Sequence, residues 1–232
     1  MLAGTVKPIV DHCLMICQPV IFIQLMMKDG VPSVKVYLTY DFKIDDDGVL
    51  QVLKKKKQLG GVTAFHCENH AVVQFLRGKL VSEGNTAPIY HAKSRPNLAE
   101  AEAVRRVLYL AKLAGDAPVY IVHLSCKESL EAVKEARAEG QKNIFVETCT
   151  QYLVLTEERY LDEDGLKYIM SPPLRTKEDC EGCVQAISTS FSRLIFPVIT
   201  PSENRRIMRS STPGAPLGHL VKSSFPSCFS FP

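Results

Sequence analysis

The chain has little net charge, no apolar run long enough to cross a bilayer, and no cysteine spacing that would frame a disulfide scaffold. Each absence removes a class of protein. A formal charge of +3 over 232 residues is too small for a basic nucleic-acid-binding surface. Its densest source, Lys54 to Lys57, lies between apolar residues at helical spacing with no aromatics interleaved, which reads as a solvated helix face. Leu14 to Met27 is apolar but holds Pro19 and two glutamines, and it falls short of the roughly 20 apolar residues a membrane span needs. Met1 to Val6 lacks the basic opening of a secretory signal. The eight cysteines are scattered, as buried thiols in a reducing compartment are. Cys180 and Cys183 form a CxxC, yet no second pair at zinc-ribbon spacing accompanies them. The expectation is a soluble cytoplasmic protein with neither a nucleic-acid nor a membrane partner.

What is present is an ordinary globular composition, 46% hydrophobic and 23% charged, in a chain long enough to bury a core. From about Val31 to Ala186 the pattern alternates. Strands are predicted over 33–38, 62–66, 119–124 and 143–148, and helices over 49–59, 71–83, 97–113 and 127–139. Asp45 to Asp47 supply caps for the first helix, Gly60-Gly61 end it, and Gly140 ends the last. Strands alternating with helices of 10 to 15 residues indicate βα units on a parallel sheet. The fold class is therefore α/β, a partial TIM-type (β/α) barrel over residues 1–187. Residues 188–232, rich in Ser, Pro and Phe without a sustained period, read as an irregular or disordered C-terminal tail.

In such barrels the chemistry sits where strands end. His66 and His123 fall at the ends of predicted strands, and imidazoles so placed can converge on a divalent metal. Lys35 lies inside an apolar strand. Burial favours its neutral amine, which can add carbon dioxide to give a carbamate able to bridge two metals. Taken alone, the same residues also fit a snorkelling lysine and two satisfied core histidines.

Six ordered motifs decide between these readings. Gly30 to Tyr40 (GVPSVKVYLTY), His66 to His70 (HCENH), His91 to Pro96 (HAKSRP), Pro118 to Ser125 (PVYIVHLS), Glu147 to Leu153 (ETCTQYL) and Lys167 to Arg175 (KYIMSPPLR) together resemble the dihydropyrimidinase/D-hydantoinase family of cyclic amidohydrolases. The resemblance implies two zinc ions and carbon dioxide as cofactors. Lys35, as N6-carboxylysine, would bridge the zinc ions, with His66 and His123 binding one of them. Tyr40 would hydrogen-bond the substrate and the developing oxyanion, and Ser171 would hold the ring amide. The implied partner is a small cyclic amide or ureide, and family members are homotetrameric. Glu68, Asn69 and Glu147 are expected to orient loops, and His91 and Arg95 to fix the loop before the third helix.

Two departures qualify the implied activity. The family's first strand ends in an HxH pair that binds the more buried metal, and no HxH occurs in this chain. The family's metal-binding, proton-shuttling aspartate on a later strand has no counterpart; the tail occupies its place. Met1 to Asp11 resembles the segment that follows the HxH pair. The resemblance thus implies an incomplete copy with impaired ring-opening hydrolysis. A non-catalytic scaffold like the dihydropyrimidinase-related proteins, or a pseudogene fragment, is the alternative.

Overall fold

The computed structural model of the chain describes residues 33–189 and 194–195. Five parallel strands lie side by side in sequence order: β1 (Ser33–Tyr37), β2 (Val62–His66), β3 (Val119–Ile121), β4 (Ile144–Glu147) and β5 (Leu194–Ile195). Between them run α1 (Asp46–Gln58), α2 (His70–Ser82), α3 (Ile89–Lys93), α4 (Asn97–Leu113), α5 (Lys127–Ala138), α6 (Gln151–Val154) and α7 (Lys177–Thr189). Strand order that never reverses is the order of a (β/α) barrel, not of a doubly wound sheet. Helices α1, α4, α5 and α7 pack on one face. Val36, Phe65, Val119, Ile121, Ile144 and Val146 alternate into one buried cluster with Val49, Leu53, Val104, Val107, Leu130 and Val133. The fold is α/β, an arc of a TIM-type barrel.

The register fixes which residues share the other face. Lys35 pairs with Ala64, Ala64 with Tyr120, and Tyr120 with Phe145; one step further along, Tyr37 pairs with His66. Side chains two apart on a strand share a face, so Lys35, Tyr37 and His66 line the surface turned away from the helices.

Strand β2 and helix α4 match their predicted spans, and the other predicted elements differ by a few residues at their ends. Each larger difference has a local cause. The first helix starts at Asp46 because Asp45 alone caps it, its carboxylate accepting from Gly48 N at 2.9 Å. A Cβ on Gly48 would lie 3.2 Å from that carboxylate oxygen, so glycine leaves room for the cap. Strand β3 stops at Ile121, short of Leu124, because His123 turns into the left-handed region at φ 43°. Helix α7 runs to Thr189, across the boundary expected at 187, and Leu194–Ile195 pairs in parallel with Val146 and Glu147. The remainder of 188–232 lies outside the described residues, as do Val6 to Cys13 and Leu14 to Met27.

Helix α7 begins with a capping box, Thr176-x-x-Asp179. Asp179 accepts from Thr176 N at 3.3 Å and from Thr176 Oγ1 at 2.7 Å. It also accepts from Lys127 N at 3.0 Å, the first residue of α5, and from Asn97 Nδ2 at 3.0 Å, the first of α4. One buried carboxylate thus satisfies donors at three helix starts. Asp179→Ala is expected to cost about 2 kcal/mol, more than a surface cap, since the freed donors are part-buried. Urea unfolding should show a lower midpoint with an unchanged slope; an unchanged midpoint would mean water replaces the carboxylate.

Candidate functional site

The strand ends bring four of the five sequence-selected residues into one neighbourhood. His66 is buried, and its Nδ1 lies 3.0 Å from Nε2 of His123. The two rings meet edge to face, with centroids 4.7 Å apart. Tyr40 stands beside them, its ring centroid 5.3 Å from that of His66. The Ser171 side chain is near enough to oppose the upward shift of its phenol. Lys35 sits on β1 on the same face, its Nζ 5.1 Å from the Tyr37 ring centroid, and its charge is felt at His66, His123 and Glu147.

Two of these residues adopt a backbone that L-amino acids rarely take. Tyr40 has φ 74° and His123 has φ 43°. Such a conformation costs on the order of 1–3 kcal/mol and persists only where surrounding contacts impose it. At Tyr40 the imposition comes from packing against His66 and Phe42 and from Arg95, whose guanidinium carbon lies 5.8 Å from the ring centroid. At His123 it comes from Leu124 N, which donates to the Glu147 carbonyl at 2.7 Å.

Protonation follows from burial and neighbours. Burial, helped by the Lys35 charge, holds both imidazoles below their ordinary range, so they are neutral near pH 7. Neutral imidazole is the form that binds metals. The Tyr40 phenol is pushed up to about 12 by burial and by the Glu68 charge, which keeps it a donor. Burial alone would raise the Glu68 carboxyl, but Arg95 and His66 outweigh it and hold it well below the usual range.

Behind the histidines runs a buried polar relay. His66 Nε2 donates to Glu68 Oε2 at 2.7 Å, and Arg95 NH1 donates to the same oxygen at 2.5 Å. The backbone carbonyl of Arg95 accepts from Arg175, whose NH2 pairs with Glu100 Oε2 at 2.9 Å. Glu100 also accepts from Ser125 N at 2.9 Å and from the Ser125 hydroxyl. The relay therefore joins the loops of four motifs. Ser171 is held from below: His91 Nε2 donates to the Met170 carbonyl at 2.7 Å, Tyr152 Oη to the Pro172 carbonyl at 2.6 Å, and Leu174 N to Tyr160 Oη at 2.8 Å. His91 and Arg95 thus act beyond the loop they were expected to fix. His91 secures the Ser171 loop, and Arg95 secures Glu68.

Glu100 and Arg175 escaped the sequence reading as single residues. A signal existed for Glu100, which falls on the apolar stripe of α4 with Ala103, Val104 and Val107, where a carboxylate requires a partner. Arg175 had no signal beyond its motif. Cys180 and Cys183 are buried free thiols of α7.

Among the described residues no group of three His, Cys, Asp or Glu is arranged to hold a metal ion. The histidine pair does fit two of the ligands. Imidazole nitrogens about 2.05 Å from a tetrahedral zinc stand about 3.3 Å apart, and these stand at 3.0 Å. His66 Nε2 is committed to Glu68, which leaves Nδ1 bare, and His123 Nδ1 is buried with no partner among the described residues.

Comparisons with known proteins agree with this geometry. No protein-family profile matches the chain. D-phenylhydantoinase of Escherichia coli O1:K1 is 49% identical over 153 residues, covering 66% of this chain and 33% of the enzyme. A solved D-hydantoinase superposes with a TM-score of 0.71 at 41% identity, covering 74% of this chain and 38% of the other. Dihydropyrimidinase from Brevibacillus agri NCHU1002 gives a TM-score of 0.70 at 38% identity, covering 72% and 37%. The chain spans about a third of the length of these curated relatives. In sequence and in fold, this part of the chain is similar to the dihydropyrimidinases and D-hydantoinases.

Proposed function

We propose that this site opens cyclic amide rings, those of dihydropyrimidines or 5-substituted hydantoins, by metal-assisted hydrolysis. The observation that carries the reading is the pair of neutral imidazole nitrogens 3.0 Å apart at the strand ends. Support comes from the hydroxyls of Tyr40 and Ser171, which lie close together beside them. His66 and His123 would hold a divalent ion, with Lys35, once carboxylated by carbon dioxide, as the shared third ligand. When bound, zinc supplies Lewis acidity toward the ring carbonyl and makes a water acidic enough to attack near neutral pH. Tyr40, protonated well above neutrality, donates to the oxygen on which charge develops. Ser171 would hold the ring amide and fix its orientation. The five buried free thiols among the described residues suit a reducing cytoplasm. No helix of the described residues is long and apolar enough to cross a membrane.

A chimera tests the reading. The 153 residues that align with D-phenylhydantoinase would replace their counterparts in that enzyme. With zinc and bicarbonate supplied, the chimera is expected to open phenylhydantoin, and Lys35→Ala within it to abolish both turnover and retention of the second zinc. A folded, metal-loaded chimera inert toward hydantoins and dihydropyrimidines alike would reject the reading in favour of a scaffold.

A further inference from the structure

Glu68 stands apart from the loop-orienting residues with which the sequence grouped it. Its Oε2 receives both the His66 Nε2 hydrogen, at 2.7 Å, and an Arg95 hydrogen, at 2.5 Å. All three side chains are buried or nearly so. Facing the Arg95 guanidinium at 2.5 Å, this oxygen serves as an acceptor, so the proton between it and His66 belongs to the imidazole nitrogen. His66 is therefore the Nε2–H tautomer, and its Nδ1 carries a lone pair. That lone pair faces His123 Nε2. In the metal-free protein the hydrogen between the two rings must then come from His123. This explains why His123 Nδ1 is left as a bare, buried acceptor without a partner among the described residues.

We propose that Glu68, gripped by Arg95, is a positioning residue that locks the His66 tautomer and so directs His66 Nδ1 toward the ion shared with His123. The inference rests on the metal-binding reading for its consequence only; the lock itself is a property of the metal-free chain. Arg95 does two things. It pairs with the Glu68 carboxylate at 2.5 Å, and its second contact, over the Tyr40 ring, ties the same guanidinium to the residue proposed to meet the substrate. One buried arginine thus sets the orientation of a metal-binding imidazole and of the neighbouring phenol. Without Glu68, no hydrogen bond of His66 among the described residues distinguishes its two nitrogens except that to His123, whose ring can serve either tautomer by moving its own proton.

Two readouts on the full chain test this. In histidine-15N-labelled metal-free protein, the His66 signals, assigned by their loss in His66→Gln, are expected to show an unprotonated Nδ1 and a protonated Nε2. Glu68→Gln preserves shape, but its amide can accept from or donate to Nε2; it should give mixed tautomers and weaken cobalt(II) binding about 10- to 100-fold. Arg95→Lys keeps the charge with a less rigid grip and should show the same change in smaller degree. A wild-type His66 protonated at Nδ1 overturns the proposal without any variant. So does a Glu68→Gln protein with an unchanged tautomer and cobalt affinity within about twofold of wild type. A wild-type chain with the Nε2–H tautomer that binds no cobalt upholds the lock and counts against the metal reading instead.

Discussion

Glu100→Ala is expected to destabilise the chain by about 3–5 kcal/mol, because it strands the Arg175 guanidinium as an uncompensated buried charge. Glu100 is 2% exposed and Arg175 4%. Burial and the Glu100 carboxylate act oppositely on Arg175, and the carboxylate prevails, so the arginine stays charged. Its other acceptors are the Ser125 hydroxyl, at 2.9 Å, and the Arg95 carbonyl, neither of which carries a charge. Removing the carboxylate also strips Ser125 N and its hydroxyl of their acceptor. A loss of this size is a large share of the roughly 5–15 kcal/mol by which domains are stable. The effect depends on pairing and not on side-chain volume, so a double variant separates the two causes. Glu100→Met with Arg175→Met removes both charges and is expected to recover most of the loss. Equilibrium urea unfolding of the single and double variants measures the coupling directly. A Glu100→Ala protein within about 1 kcal/mol of wild type would show that water reaches Arg175.

That prediction also marks where the sequence stopped being legible. The βα alternation, the parallel sheet and the strand-end histidines were readable, because hydrophobic period and turn residues report local structure directly. His66 and His123 could be paired only through their motifs; nothing in a spacing of 57 residues says that two imidazole nitrogens meet at 3.0 Å. The bends at Tyr40 and His123 were invisible for a physical reason. Glycine or asparagine announces a positive φ, whereas a tyrosine or histidine is forced into one by its surroundings. Strand β3 was consequently drawn too long. The short helices α3 and α6 and the two 3-10 turns at Glu157–Leu161 and Gly165–Tyr168 were missed because one turn carries no measurable period. Thr176-x-x-Asp179 has the spacing of a capping signal, which the sequence reading did not use.

The polar relay shows why the site and the fold cannot be altered independently. Arg175 holds the Arg95 backbone, Arg95 holds Glu68, and Glu68 holds His66. A change at Glu100 therefore reaches the proposed metal site through four successive contacts without touching it. Loss of cobalt affinity in Glu100→Ala beyond the fraction unfolded would reveal that transmission, and an affinity explained wholly by unfolding would deny it.

The 232-residue chain by itself is expected to open dihydrouracil or hydantoin at least about 10²-fold more slowly than D-phenylhydantoinase, even with zinc and bicarbonate in excess. The described residues offer two imidazoles and one lysine to a metal, and the sequence contains no HxH pair. Two ligands can retain an ion weakly, but the proposed chemistry asks more of the site. The attacking water must be held, the carbonyl polarised and a proton carried to the departing ring nitrogen. Tyr40 and Ser171 serve the oxygen and the ring amide, and among the described residues near them the carboxylates are already engaged. Glu68 is committed to Arg95 and His66, and Glu147 accepts from Tyr120 Oη at 2.7 Å. Burial raises the Glu147 carboxyl above its ordinary range, yet its hydrogen bond ties it to Tyr120 instead of leaving it free to shuttle. Spectrophotometric ring-opening assays of the chain alone, beside the chimera, decide the matter. A slow chain with an active chimera would assign the deficit to missing groups and leave the residues of this half intact. Turnover by the chain alone near that of the intact enzyme would mean that some residue outside 33–189 and 194–195 supplies the missing ligands.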